Sequence, residues 1–129
     1  MTDRRLRSPL GRALGLGSAK EGVEHWWLQR VTAVALVPLT LWFVAGLVAH
    51  VGLERDAVAA WLRSPLVAAA MVLLIVATFL HAALGLQVVI EDYVHREGTK
   101  IAGIMTMKLA LWALGAAAVL SVLRVAFGG

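Results

Sequence analysis

The stretch SPLVAAAMVLLIVATFLHAALGLQVVI, residues 64–90, decides the fold. It carries no formal charge over 27 residues, between Arg63 and Glu91. At about 1.5 Å of rise per residue, roughly 20 residues cross the ~30 Å hydrocarbon core of a bilayer. A run this long and this apolar predicts a membrane-spanning helix, which satisfies its own backbone N–H and C=O groups where water does not reach. Ser64-Pro65 marks its start, as an N-cap residue followed by proline at the first helical position, where the missing N–H costs nothing.

Outward from that span, Val31 to Val51 is a second uncharged stretch, 21 residues long. A third span, about 105–127, contains Lys108 and Arg124, each within about a turn of an end, where a long side chain can snorkel to the headgroups. The expected organisation is a basic tail over 1–17 and one membrane-anchor domain over 18–129, with spans at about 31–51, 65–90 and 105–127. The fold class is all-α: an integral membrane protein of three transmembrane helices with an N-terminal interfacial segment. Composition agrees, since 60% of the 129 residues are hydrophobic, 16% are charged and the mean hydropathy is +0.82. Such a chain is too apolar for a disordered segment, a soluble enzyme or a nucleic-acid module. The +4 net charge does not change this, because the basic residues do not gather on a polar face. With no cysteine, the chain itself offers no disulfide, thiolate metal site or iron–sulfur ligand, so any redox role needs a cofactor held some other way.

Orientation follows from the Lys and Arg distribution. Six lie in residues 1–30, and Arg96 and Lys100 in the 91–100 connection make eight on one side. Arg55, Arg63 and Arg124 make three on the other. The N-terminus and the 91–100 connection are therefore expected inside and the C-terminus outside. Residues 4–12 are Arg-rich like a signal peptide, but Ala13 to Gly17 is too short for its apolar core, so the first span is expected to be retained.

Local signals refine the picture. Ser18-Ala-Lys-Glu21 has capping-box spacing, so a helix is expected from near Ser18, with His25, Trp26 and Trp27 along the inner interface. Pro38 removes a backbone donor inside the first span and predicts a kink. Gly115-Ala-Ala-Ala118 is a small-residue patch of the kind that lets membrane helices pack closely.

The polar residues within the spans carry the functional signal. His81 lies nine residues before Ile90, about 14 Å below the inner boundary. An imidazole at that depth needs a partner: a hydrogen bond to a neighbouring helix, or a metal. Ala77, His81, Gly85 and Val88 share one helical stripe. Small side chains therefore flank the imidazole, as a flat macrocycle requires, and this favours a haem ligand. No other histidine reaches that depth, since His50 stands at the outer end and His25 and His95 at the inner interface. A haem with two axial histidines would therefore need a partner subunit.

Asp92 returns to the His81 face eleven residues on, about 16 Å further inward, with Tyr93 about 100° further round. A tyrosine hydroxyl can donate to a quinone carbonyl while a carboxylate beside it orients it or relays protons. The plain alternative is an interfacial tyrosine next to a solvated acid. Arg30, where the first span enters the membrane, reads either as an anchor or as a guanidinium paired with an anionic group such as a haem propionate.

These residues together resemble a family. The run from Gly17 through Glu24-His-Trp-Trp-Leu-Gln-Arg30 to Leu39 is similar to the small D-type membrane anchor of bacterial succinate dehydrogenase. So is His81-Ala-Ala-Leu-Gly85 followed by Val89-Ile-Glu-Asp-Tyr-Val-His95. The resemblance covers residues 17 to about 125, and the interval from His81 to Asp92 and Tyr93 is its most specific part. It implies a haem b shared with a second three-span cytochrome b subunit, with His81 as axial ligand to the haem iron and Arg30 near the propionates. It implies ubiquinone as substrate beside Tyr93 and Asp92, and docking of the iron–sulfur and flavoprotein subunits on the inner face. The chain would not be catalytic alone, would have membrane lipid and no nucleic acid as further partner, and would lie in the bacterial inner membrane with its N-terminus cytoplasmic and its C-terminus periplasmic. The alternatives are a fumarate reductase anchor, with the same architecture run backwards, and a haem-free structural anchor whose polar residues serve only as helix glue.

Overall fold

The computed structural model describes residues 8–13 and 20–128. They form five helices: α1 (Pro9–Ala13), α2 (Lys20–His50), α3 (Arg55–Arg63), α4 (Pro65–Tyr93) and α5 (Glu97–Ala126). Gly22–His50, Pro65–Tyr93 and Glu97–Ala126 are each long and apolar enough to cross a membrane. The protein is all-α and multi-pass, as the uncharged runs imply. Ser18 and the tail before Ser8 lie outside the described residues, so the capping box is not among the features seen.

Each long helix outruns the uncharged stretch that announced it. Charged residues at the ends of a membrane helix do not stop the backbone ladder, because helix formation continues wherever N–H and C=O can pair. So α2 begins well before Arg30 and continues unbroken through Pro38. Helix α4 runs on to Tyr93, and α5 starts at Glu97, eight residues before the expected boundary. Lys108 is consequently half-buried eleven residues inside α5 rather than a turn from its end. The 91–100 connection shrinks to residues 94–96, where the Val94 N–H bonds Ile90 O at 2.9 Å and the His95 Nδ1–H donates to Tyr93 O at 3.1 Å.

Between the first two spans, Gly52 takes the left-handed φ of +80° that ends α2, and a short amphipathic helix, α3, follows. Ser64 closes α3 through its N–H to Trp61 O (3.2 Å) and opens α4 through its carbonyl. It stands at the N-cap with Pro65 behind it, but its hydroxyl makes no capping bond. Trp61 of α3 lies against α2: a Cβ on Gly46 would sit 2.6 Å from its ring. The ring also stacks on His50 at 4.6 Å, and the His50 Nδ1–H donates to Gly46 O at 2.8 Å.

Helix α4 is the middle of the bundle, with α2 along one side and α5 along the other. Gly85 faces Gln29 of α2, whereas Phe79 meets Gly115 of α5 and Ile90 meets Gly103. Phe79 and Ile90 are each about half a turn of helix away from His81, on the opposite side of α4. The small patch does allow close approach, since a Cβ on Gly115 would lie 3.3 Å from the Phe79 ring. Helices in such a row bury little, and among the described residues only Thr32, Ala77, Ala83 and Val122 are buried.

Candidate haem and quinone sites

His81 and Thr32 meet where α4 crosses α2. His81 Nδ1 lies 3.1 Å from Thr32 Oγ1. Thr32 Oγ1 also lies 2.9 Å from Leu28 O and 3.0 Å from Gln29 O, and the residue is only 5% exposed. Ala77, one turn outward on α4, is buried, and Gly85, one turn inward, leaves room for the Gln29 amide. The imidazole thus sits among small side chains on both sides, with one ring nitrogen engaged.

The contact fixes a register that was absent from the sequence. With Thr32 beside His81 and Gln29 beside Gly85, Arg30 lies about 3 Å inward of the His81 level along α2. Tyr93, by contrast, lies about 18 Å inward along α4. Arg30 is therefore close to the level of His81 along the helix pair, whereas the charge pattern alone put it at the mouth of the span. It points elsewhere, since two residues of helix turn about 200°, which sets Arg30 near the far side of α2 from α4. Its guanidinium rests over the Trp26 ring, 5.5 Å from the centroid, and Trp26 stacks on Trp27 at 5.9 Å. The single ion pair among the described residues, Lys100 Nζ to Glu97 Oε1 at 3.3 Å, does not involve it.

His25, two helical turns inward of Thr32 on the same α2 face, points its Nε2 into a buried place with no hydrogen-bond partner. It lies three residues into the apolar helix Gly22–His50, near the N-terminal mouth of that span. Asp92 and Tyr93 are the last residues of α4, both exposed, with Tyr93 78% exposed. The helix holds to its end, so Asp92 does return to the His81 side of α4, about 16 Å away along the axis. The structure brings together His81, Thr32 and the small residues around them. It leaves Tyr93 and Asp92 as a separate pair at the C-terminal end of α4.

Thr32 is the residue that reading the sequence missed. A threonine in an apolar run carries little signal, because it can satisfy its hydroxyl on its own helix. Its importance comes from the inter-helix register alone.

The donors present suit one kind of metal group and not another. Among the described residues no cluster of three or more His, Cys, Asp or Glu could hold a bare ion. A haem iron brings four ring nitrogens and asks one axial nitrogen of this chain, which His81 can supply from the ring atom that Thr32 does not touch.

The profile of the succinate dehydrogenase/fumarate reductase transmembrane subunit family matches residues 4–123. A succinate dehydrogenase hydrophobic membrane anchor subunit of Paracoccus denitrificans is 35% identical over 94% of this chain and 93% of its own length. The subunit of the same description from Rickettsia bellii is 34% identical over 80% and 82%. A succinate dehydrogenase membrane anchor subunit of Reclinomonas americana is 29% identical over 70% and 78%. With a matching profile along nearly the whole chain and three helices able to cross a bilayer, the protein belongs to the succinate dehydrogenase/fumarate reductase transmembrane subunit family.

Proposed function

We propose that this chain is the membrane-anchor subunit of a succinate:quinone oxidoreductase in the bacterial inner membrane. It tethers the flavoprotein and iron–sulfur subunits there, and with a second three-span cytochrome b subunit it holds haem b and forms the quinone site. The observation that carries the reading is His81, an imidazole deep in an apolar helix, flanked by Ala77 and Gly85 and held by one nitrogen only. The names of the relatives, all succinate dehydrogenase anchors, favour succinate oxidation over the reverse reaction.

In this reading His81 would hold the haem iron through Nε2, and Arg30, at nearly the same level but based near the far side of α2 from α4, would have to carry its long side chain round the helix to pair with a propionate. A haem so bound supplies a one-electron relay within the membrane. At the inner end the Tyr93 hydroxyl donates to a quinone carbonyl and so stabilises the negative charge that develops there as electrons arrive. In this reading its ring, exposed on this chain, would lie against lipid or the partner subunit while its hydroxyl reaches the membrane edge. Asp92, next to it on the same exposed end, orients the hydroxyl or passes protons from the inner face. The eight-to-three excess of Lys and Arg puts that face, and the N-terminus, in the cytoplasm and the C-terminus in the periplasm.

Purification of the intact complex tests this directly. Flavoprotein, iron–sulfur and second anchor subunits should co-purify, with a reducible b-type spectrum, and replacing His81 with Leu or Tyr should perturb that spectrum. Turnover can survive the change, because electrons can reach quinone directly from an iron–sulfur cluster. Co-purified subunits without a b-type signal would instead make the chain a haem-free structural anchor, and an unchanged signal in the His81 variants would remove His81 as ligand.

A further inference from the structure

We propose that Thr32 is a positioning residue for His81: its hydroxyl oxygen accepts the Nδ1–H, fixing the tautomer and ring plane in which Nε2 presents its lone pair to the iron. The inference rests on the haem-ligand reading above and adds to it a residue of the other helix.

The argument is a count of protons. A threonine hydroxyl has one hydrogen and two lone pairs. Thr32 Oγ1 lies within hydrogen-bond distance of three atoms: Leu28 O, Gln29 O and His81 Nδ1. The two carbonyl oxygens can only accept, so the hydroxyl proton belongs between them, shared at 2.9 and 3.0 Å. This is the usual way a helical threonine inside a membrane satisfies itself. The oxygen then has only lone pairs left for the third contact. His81 must be the donor there, which puts its proton on Nδ1 and leaves Nε2 unprotonated.

The opposite assignment is poorer. A hydroxyl turned to donate to Nδ1 would leave both carbonyl contacts without a shared proton. It would also put the ring hydrogen on Nε2, which makes no hydrogen bond among the described residues. Thr32 is buried against His81, so its hydroxyl is the partner Nδ1 meets. The ring is thus held on one side by α2 and open on the other.

An engaged Nδ1–H does two things to a ligating histidine: it fixes the ring orientation and raises the basicity of the other nitrogen. A more basic axial nitrogen favours the ferric haem. Loss of the acceptor therefore moves the midpoint potential upward and frees the ring to rotate. Outer-shell partners of this kind typically alter metal-group affinity by about 10- to 100-fold.

The test uses the purified four-subunit complex carrying Thr32→Val, which keeps the shape and removes the oxygen, and Thr32→Ser, which keeps the oxygen. Redox titration of the b-type absorption, the low-spin ferric paramagnetic resonance spectrum and haem transfer to an apo-haem acceptor are compared with wild type. Thr32→Val is expected to give a more positive potential, a shifted resonance spectrum and at least about tenfold faster haem transfer. Thr32→Ser is expected to restore all three. Should Thr32→Val fail to assemble, Thr32→Ala against Thr32→Ser decides by the same readings. Wild-type values in Thr32→Val, with His81→Leu losing the signature, would overturn the role of Thr32 and leave the ligand standing. A signature unaffected by either His81→Leu or Thr32→Val would overturn both.

Discussion

With His81 deep in the bilayer, as the proposed reading has it, Arg30 at nearly its level would occupy a depth that hydrocarbon tolerates badly. Translocon scales put an arginine at the centre of a membrane helix at about 2.5–3.5 kcal/mol, and such residues pair with one another, with carbonyls or with a ligand. Resting on Trp26 eases this, and an anion supplied from outside the chain would do more. If that anion is a propionate, the guanidinium charge opposes the extra positive charge of the ferric haem. Arg30→Gln is then expected to lower the haem potential, opposite in sign to the effect expected of Thr32→Val, and redox titration of the b-type band reads both. An unchanged potential would leave Arg30 as a lipid anchor. Tyr93 is a cleaner case, because Tyr93→Phe keeps the ring and deletes only the hydroxyl. A hydrogen bond to developing charge is worth about 1.5–3 kcal/mol, so succinate-driven quinone reduction should fall by about tenfold or more. Reduction of a soluble dye by the catalytic subunits should be unaffected. Equal quinone reductase activity at matched assembly would demote Tyr93 to an interfacial residue.

The helices divide into what a single sequence can announce and what it cannot. The three spans were legible because apolarity over 20 or more residues has few other uses, and the His81-to-Asp92 interval was legible because both lie on one helix of known pitch. Helix α3 was not: residues 55–63 are too short and too mixed to stand out from a loop, and their apolar side, with Trp61, finds its partner only on α2. The depth of Arg30 and the role of Thr32 were hidden for the same reason, since the sliding of one span against another is set by packing and not by charge boundaries. Gly46 shows how tight that packing is. A valine there would drive its Cβ into the Trp61 ring, a rigid neighbour that also stacks on His50 and lies beside Trp42. Overpacking of this kind costs about 1–3 kcal/mol. Gly46→Val is expected to lower the thermal stability of the complex, while Gly98→Val, where nothing lies within 4 Å, should have a much smaller effect. Equal losses for the two would show that Trp61 moves aside freely.

At the scale of the whole molecule, three spans in a row around α4 leave two broad faces and almost no core. Such a layer leaves faces free for a partner, and in the proposed reading the histidines bear on what that partner would supply. Measured from the Thr32–His81 contact at about 1.5 Å per residue, His50 lies about 27 Å outward along α2 and His25 about 10 Å inward. His95 lies beyond the inner end of α4, about 21 Å from His81. In the proposed reading the second ligand would come from near the level of His81, and none of these three histidines lies at that level. In the proposed reading this chain would supply one side of a haem and a partner the other. Expressed alone in membranes, it is expected to show no six-coordinate b-type spectrum, and co-expression with the second three-span subunit should bring that spectrum up. Low-spin resonance of a bis-histidine haem in membranes holding this chain alone would mean that two copies of it face each other across the iron, His81 to His81, and that no different partner is required.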